Sequence, residues 1–218
     1  MTGRLFGETA QIQAFDRAAP TGLDRALAAL VKRAYLDARD FCEQITGPEQ
    51  DRDLRGDVKR AIVEAGLGPV ASRFAGVVAR TVPNERDSAN HQELSFENVI
   101  LTVSRTPFAM AALPEAKFRD TLASQQQGLF REYDAEPDAS TGLFAVLVHG
   151  SPHPFDLVPT FLRIVFPTLG GVHGAGIDLY ERHPALKPQP STRPTFGLNG
   201  PRLRPGVDVV GEGEGRGS

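Results

Sequence analysis

The residues with the greatest chemical capacity in this chain are gathered in one eight-residue stretch, His149-Gly150-Ser151-Pro152-His153-Pro154-Phe155-Asp156. His149, His153 and Asp156 supply two imidazoles and a carboxylate, donor types that bind zinc or another divalent cation. Ser151 beside a histidine offers an activated hydroxyl, so a catalytic reading takes His149, Ser151, His153 and Asp156 together, with Ser151 or a metal-bound water as nucleophile. The spacing argues against both uses. Histidines four residues apart meet on a helix, and the prolines here forbid one. A surface turn with solvated histidines is the stronger expectation.

Other groups are more scattered. Asp87, His91, Glu93, His173 and Asp178 hold enough ligands for a metal or acid–base site if their loops converge, although nothing in the spacing requires it. The run Gly170-Gly171-Val172-His173-Gly174-Ala175-Gly176 follows a strand pattern and precedes a short helical one, a context in which backbone amides bind phosphate. It fits neither the dinucleotide fingerprint nor the lysine-containing phosphate loop, so a flexible connection is expected. Arg52, Arg55, Lys59 and Arg60 form a basic group that could contact phosphates. Asp51, Asp53, Asp57 and Glu64 interleave with them, which favours an ion-paired, solvated helix face. No helix-turn-helix, zinc finger or stacking-aromatic pattern is present. Ser124-Gln125-Gln126-Gln127 interrupts an apolar stripe and is expected to face water.

Three apolar runs must position these groups. In Glu97 to Arg105, Val99, Leu101 and Val103 alternate with Ile100 and Thr102, and β-branched density favours a strand. Leu143 to His149 is apolar on both faces, the mark of a central strand covered on both sides. Pro159 to Phe166 places Leu162, Ile164 and Phe166 on one face and Arg163 on the other, so it is half exposed. Phe74 to Val82 is a weaker strand, followed by a long polar connection from Pro83 to Glu93.

Helical periodicity appears in three places. Leu23, Leu27, Leu30, Ala34, Ala38, Phe41 and Ile45 form one stripe, with Thr21 as N-cap and a stop near Gly47 and Pro48. A second helix runs from about Asp51 to Ala65 or Gly66, burying Leu54, Val58, Ala61 and Ile62, and pairs with the first as a hairpin. Phe118, Leu122 and Leu129 predict a third helix from Pro114 to about Arg131. If it crosses the sheet, the strands it joins are parallel. His149 then lies at the same end as Arg105, with His153, while His91 and His173 share the opposite edge.

The expected fold class is α+β: an N-terminal helical hairpin packed on a mixed sheet of about four strands, with one crossover helix. Residues 1–19 are a weakly ordered segment in which Ile12 and Phe15 can dock, 20–184 form a single domain, and 185–218 form a disordered Pro/Gly-rich tail. Within that tail, Lys187 to Pro194 could adopt polyproline II for a partner. The net charge of −3 provides no global attraction to nucleic acid or anionic membrane. Cys42 is the only cysteine, which rules out an intramolecular disulfide, and its apolar setting predicts a buried, inert thiol. The N-terminus lacks a signal-peptide pattern and no apolar run approaches ~18–20 residues, so a cytoplasmic location is expected. Arg supplies 20 of the 24 basic residues, which suggests a GC-rich bacterial genome. The leading functional expectation is a protein-interaction or regulatory module with a protein partner and no catalytic activity. The alternatives are a small metal-dependent or Ser/His hydrolase at the His149-His153-Asp156 loop, and a weak nucleic-acid binder through helix 51–65 and the tail. The sequence assigns no cofactor.

Overall fold

A computed structural model of the chain describes residues 3–46, 52–83, 90–129, 142–153, 155–168, 170 and 173–188. Three helices come first: α1 (Gly3–Ala18), α2 (Leu23–Thr46) and α3 (Arg52–Ala71). Strands β1 (Val77–Pro83), β2 (Asn90–Phe96) and β3 (Val99–Arg105) follow, then helix α4 (Lys117–Leu129). Strands β4 (Leu143–Gly150), β5 (Phe161–Pro167) and β6 (His173–Asp178) complete the sheet, and the short helix α5 (Leu179–Arg182) ends the series. The chain divides into two units, Met1–Pro188 and Gln189–Ser218. The second unit, and with it most of the expected tail, lies outside the described residues.

Strand order in the sheet follows chain order, β1 to β6. Among the neighbouring pairs of described strands only β3 and β4 are parallel, and α4 lies in the connection between them. This is the crossover expected from the sequence, since parallel neighbours cannot be joined by a tight hairpin. All eight residues of β4 are buried, as its two apolar faces require. Val99, Leu101, Leu143, Ala145, Leu147, Leu162, Ile164 and Phe166 pack with α1, α2 and α3. On the other face, Phe144, Val146, Val148 and Val165 pack with Leu113 and Ala123.

The sheet has six strands where the alternation suggests about four. The polar connection from Pro83 to Glu93 contains the start of β2, which pairs with β1 from Val77↔Phe96 to Pro83↔Asn90. Few residues of this hairpin are buried, Val77 in β1 and Leu94 and Phe96 in β2, so it leaves a weak apolar trace in the sequence. The glycine-rich run likewise contains β6 in place of a loose connection. A Cβ at Gly174 would lie 2.5 Å from the Phe166 carbonyl oxygen, so glycine there lets β6 approach β5.

These strands also reverse one placement. β2 is antiparallel to β3, so His91 lies toward the Arg105 end of the sheet. β6 runs parallel to β4, through β5, and this puts His173 toward the opposite end. The two histidines therefore do not share an edge.

Helix α3 continues past Gly66 to Ala71, with Pro69 inside its final stretch. Gly66 is a packing residue: a Cβ there would lie 2.1 Å from Leu30 Cδ1, so glycine sets the close approach of α2 and α3. The buried face of α3 is Arg55, Gly56, Lys59, Val63, Leu67 and Val70; Ala61, expected inside, is exposed. The apolar stripe of α2 ends at buried Cys42, while Phe41 and Ile45 are exposed.

The N-terminal stretch includes α1, anchored by Phe15. That side chain is fully buried, edge-on to Phe96 and Phe166 at ring separations of 5.8 and 6.0 Å. Phe15→Ala is expected to destabilise the fold by about 3–5 kcal/mol in urea unfolding, because it leaves a cavity between α1 and the sheet. A loss below about 1 kcal/mol would mean that α1 contributes little to the core.

Candidate functional site

Arg105 and His149 end their parallel strands as direct register partners. Val103 and Leu147, two residues earlier, point into the core beneath α1, α2 and α3, so strand alternation directs Arg105 and His149 to that same side. The helices then supply the neighbours. From α2, the Tyr35 hydroxyl lies 3.2 Å from His149 Nδ1, and the two rings meet edge-on at 5.7 Å. From α3, Lys59 Nζ sits 4.3 Å above the Tyr35 ring and donates to the Asp156 carbonyl oxygen at 2.9 Å. The Arg55 guanidinium stacks 4.7 Å over Phe155. A Cβ on Gly56 would lie 2.6 Å from Arg105 Nη1, so this glycine gives the guanidinium room against α3.

The cluster is strongly desolvated. Tyr35 and His149 are fully buried, and Ser151, Lys59 and Arg55 nearly so. Burial, reinforced by the positive charges of Arg105 and Lys59, lowers the His149 pKa to about 3. Lys59 falls to about 8, chiefly through burial and then through Arg105, with Asp156 opposing. Burial raises the Tyr35 phenol, against the pull of the Arg105 charge and of hydrogen bonding with Ser151 and Arg105. At neutral pH the imidazole is therefore neutral and the phenol protonated. The donor in the Tyr35–His149 contact depends on the tautomer: with the phenol donating to Nδ1, the imidazole N–H is on Nε2. Among the described residues His149 Nε2 has no hydrogen-bond partner, and neither does Arg105 Nε.

Of the residues singled out in the sequence, His149, Ser151 and Asp156 belong to this cluster. His153 is exposed and contributes its carbonyl, which accepts from the Ser151 hydroxyl at 2.9 Å. Among the described residues no group of three or more His, Cys, Asp and Glu side chains could hold a metal ion. The second set does not converge. His91 pairs with Glu93 at 3.0 Å and stacks on Phe118 at 4.0 Å. His173 is at the other end of the sheet, its pKa lowered by burial and by Arg163. Asp178 caps α5 by accepting from the Tyr180 and Glu181 amides, and Asp87 lies outside the described residues.

Comparison with family models, curated proteins and solved structures finds no match. The site is therefore read from its own geometry. Tyr35 was not among the candidate residues, Arg105 entered only as the end of a strand, and Arg55 and Lys59 were expected on a solvated helix face, whereas both are buried. One signal for Arg55 and Lys59 was available: with Val63 and Leu67 they form an unbroken four-residue spacing along α3, which places them on its buried stripe. A groove of about 390 Å³ lies elsewhere, lined by residues including Leu113, Lys117, Arg119, Asp120 and Pro167, and the cluster lends it no side chain. Among the described residues no helix is long and apolar enough to cross a membrane.

Proposed function

We propose that this chain is a regulatory protein that acts by binding another protein, and that the loop after β4 is its contact surface. The observation that carries this reading is where the cluster directs its polar groups. Ser151 donates to the His153 carbonyl, Lys59 to the Asp156 carbonyl, and Arg55 covers Phe155. These contacts hold loop backbone in place, while Phe155 and Leu157 remain 39% and 42% exposed. The segment leaving the neighbouring strand β3 exposes Phe108 and Met110 by 61% and 68%. Both segments leave the same end of the parallel pair, and large apolar side chains left exposed are a feature of interaction surfaces.

The geometry supports binding over hydrolysis. The Ser151 hydroxyl is engaged with a carbonyl, and an imidazole with so low a pKa is a weak base at neutral pH. It also gives less support to nucleic-acid binding, because Arg55 and Lys59, two of the four basic residues that reading uses, are buried.

The test compares the tagged wild-type chain with a Phe155→Ser/Leu157→Ser double variant in affinity purification from native cells. The expected result is a stoichiometric protein retained at moderate salt by the wild type and lost with the variant, whose unfolding transition is unchanged. Equal retention by both chains, or retention of no protein by the wild type, would overturn the proposal.

A further inference from the structure

We propose that the chain binds a small oxyanion, the carboxylate or phosphate group of a metabolite, between His149 Nε2 and the Arg105 guanidinium at the ends of β4 and β3. This site is independent of whether the loop after β4 recruits a protein.

Two observations converge on it. His149 is fully buried, yet its Nε2 has no partner among the described residues. A buried N–H left without an acceptor costs about 1–3 kcal/mol, a penalty that a bound acceptor removes. Arg105, its register partner in the parallel pair, has a buried Nε in the same condition. The two donors sit on adjacent strands and the same face, so one oxyanion can accept from both. Arg105 as a residue is only half-buried, so part of it reaches solvent.

The surrounding charges select the sign of the ligand. The charges acting on His149 are those of Arg105 and Lys59, both positive. Asp156 is a carboxylate in the neighbourhood, and its charge acts on Lys59 and Tyr35. The proposed site uses the tautomer in which the Tyr35 phenol donates to Nδ1, and in that tautomer Nε2 is the donor. A cation would meet this positive field and two N–H groups, whereas an oxyanion forms charge-assisted hydrogen bonds with the guanidinium. Gly56 completes the arrangement by letting the guanidinium lie against α3.

The experiment titrates the full chain with sodium phosphate and, separately, sodium acetate, against sodium chloride at matched ionic strength. Calorimetry, the thermal midpoint and the His149 imidazole NMR signals are followed. Saturable binding of either oxyanion is expected, with a raised thermal midpoint and a shift at His149 Nε2–H. The arm that binds tells phosphate from carboxylate. Arg105→Gln should bind about tenfold more weakly or worse. Gly56→Ala, which displaces the guanidinium without removing it, should weaken binding in the same direction. The proposal is overturned if neither oxyanion exceeds chloride on the wild type. It is overturned equally if the His149 signals stay fixed at saturation, or if both folded variants bind as tightly as the wild type.

Discussion

Replacing Gly150 by alanine is expected to destabilise the fold by about 3 kcal/mol or more, because the added methyl has no space and the backbone around it cannot yield. A Cβ there would lie 1.8 Å from the Thr106 carbonyl oxygen and 2.7 Å from Phe161 Cζ. A side-chain carbon can move aside, but a carbonyl belonging to the backbone is held. The Thr106 amide donates to the His149 carbonyl at 3.1 Å, and the Thr160 amide to the Gly150 carbonyl at 2.9 Å. Relief would require β3 and β4 to separate where Arg105 and His149 meet. Gly68→Ala is the matched control. It lies in α3 with nothing within 4 Å of its Cβ, so alanine there is expected to be neutral or to stabilise by up to about 1 kcal/mol. Urea unfolding of both variants checks the pair. A Gly150→Ala chain within about 0.5 kcal/mol of the wild type would show that the parallel strands do not close as described.

The same strand explains what could be read from the sequence. β4 was identifiable as central because an apolar run that does not alternate has no face to offer water, and every one of its residues is buried. The crossover through α4 followed from a helical pattern between two strand patterns, and the parallel register of β3 and β4 agrees with it. β2 and β6 were obscured for a different reason. Their pairing is carried by backbone hydrogen bonds and, in β6, by glycines whose missing side chains permit close approach, and neither leaves a hydrophobic period. The site was legible in part. His149, Ser151 and Asp156 are close in sequence and stay close in space. Tyr35 lies 114 residues from His149, and only the packing of α2 over the sheet joins them. His153 is exposed, and it is its backbone carbonyl that meets the cluster, accepting from the Ser151 hydroxyl.

Acid should unfold this protein through His149, and the sign follows from where its proton sits. In the unfolded chain a histidine titrates near 6.5, whereas in the fold burial and two nearby cations lower His149 to about 3. Between these values the unfolded chain binds a proton that the folded chain refuses. The stability linked to His149 is therefore fully present above pH 6.5 and is lost as pH falls toward 3. Each pH unit below the unfolded value removes about 1.4 kcal/mol, so moving from pH 7.5 to pH 5 should weaken the fold by about 2 kcal/mol from this residue alone. His173 is shifted in the same direction and adds its own acid sensitivity. The difference between the wild type and His149→Gln isolates the larger effect, since the variant retains His173 but has no imidazole in the cluster. Urea unfolding at pH 7.5, 6 and 5 should show the wild type losing stability more steeply, with the two curves converging as pH falls. Parallel curves would mean that His149 is accessible to protons in the folded chain, and the buried donor invoked for oxyanion binding would lose its basis. Convergence would establish that the imidazole stays neutral in the folded chain, the state that the proposed oxyanion site requires.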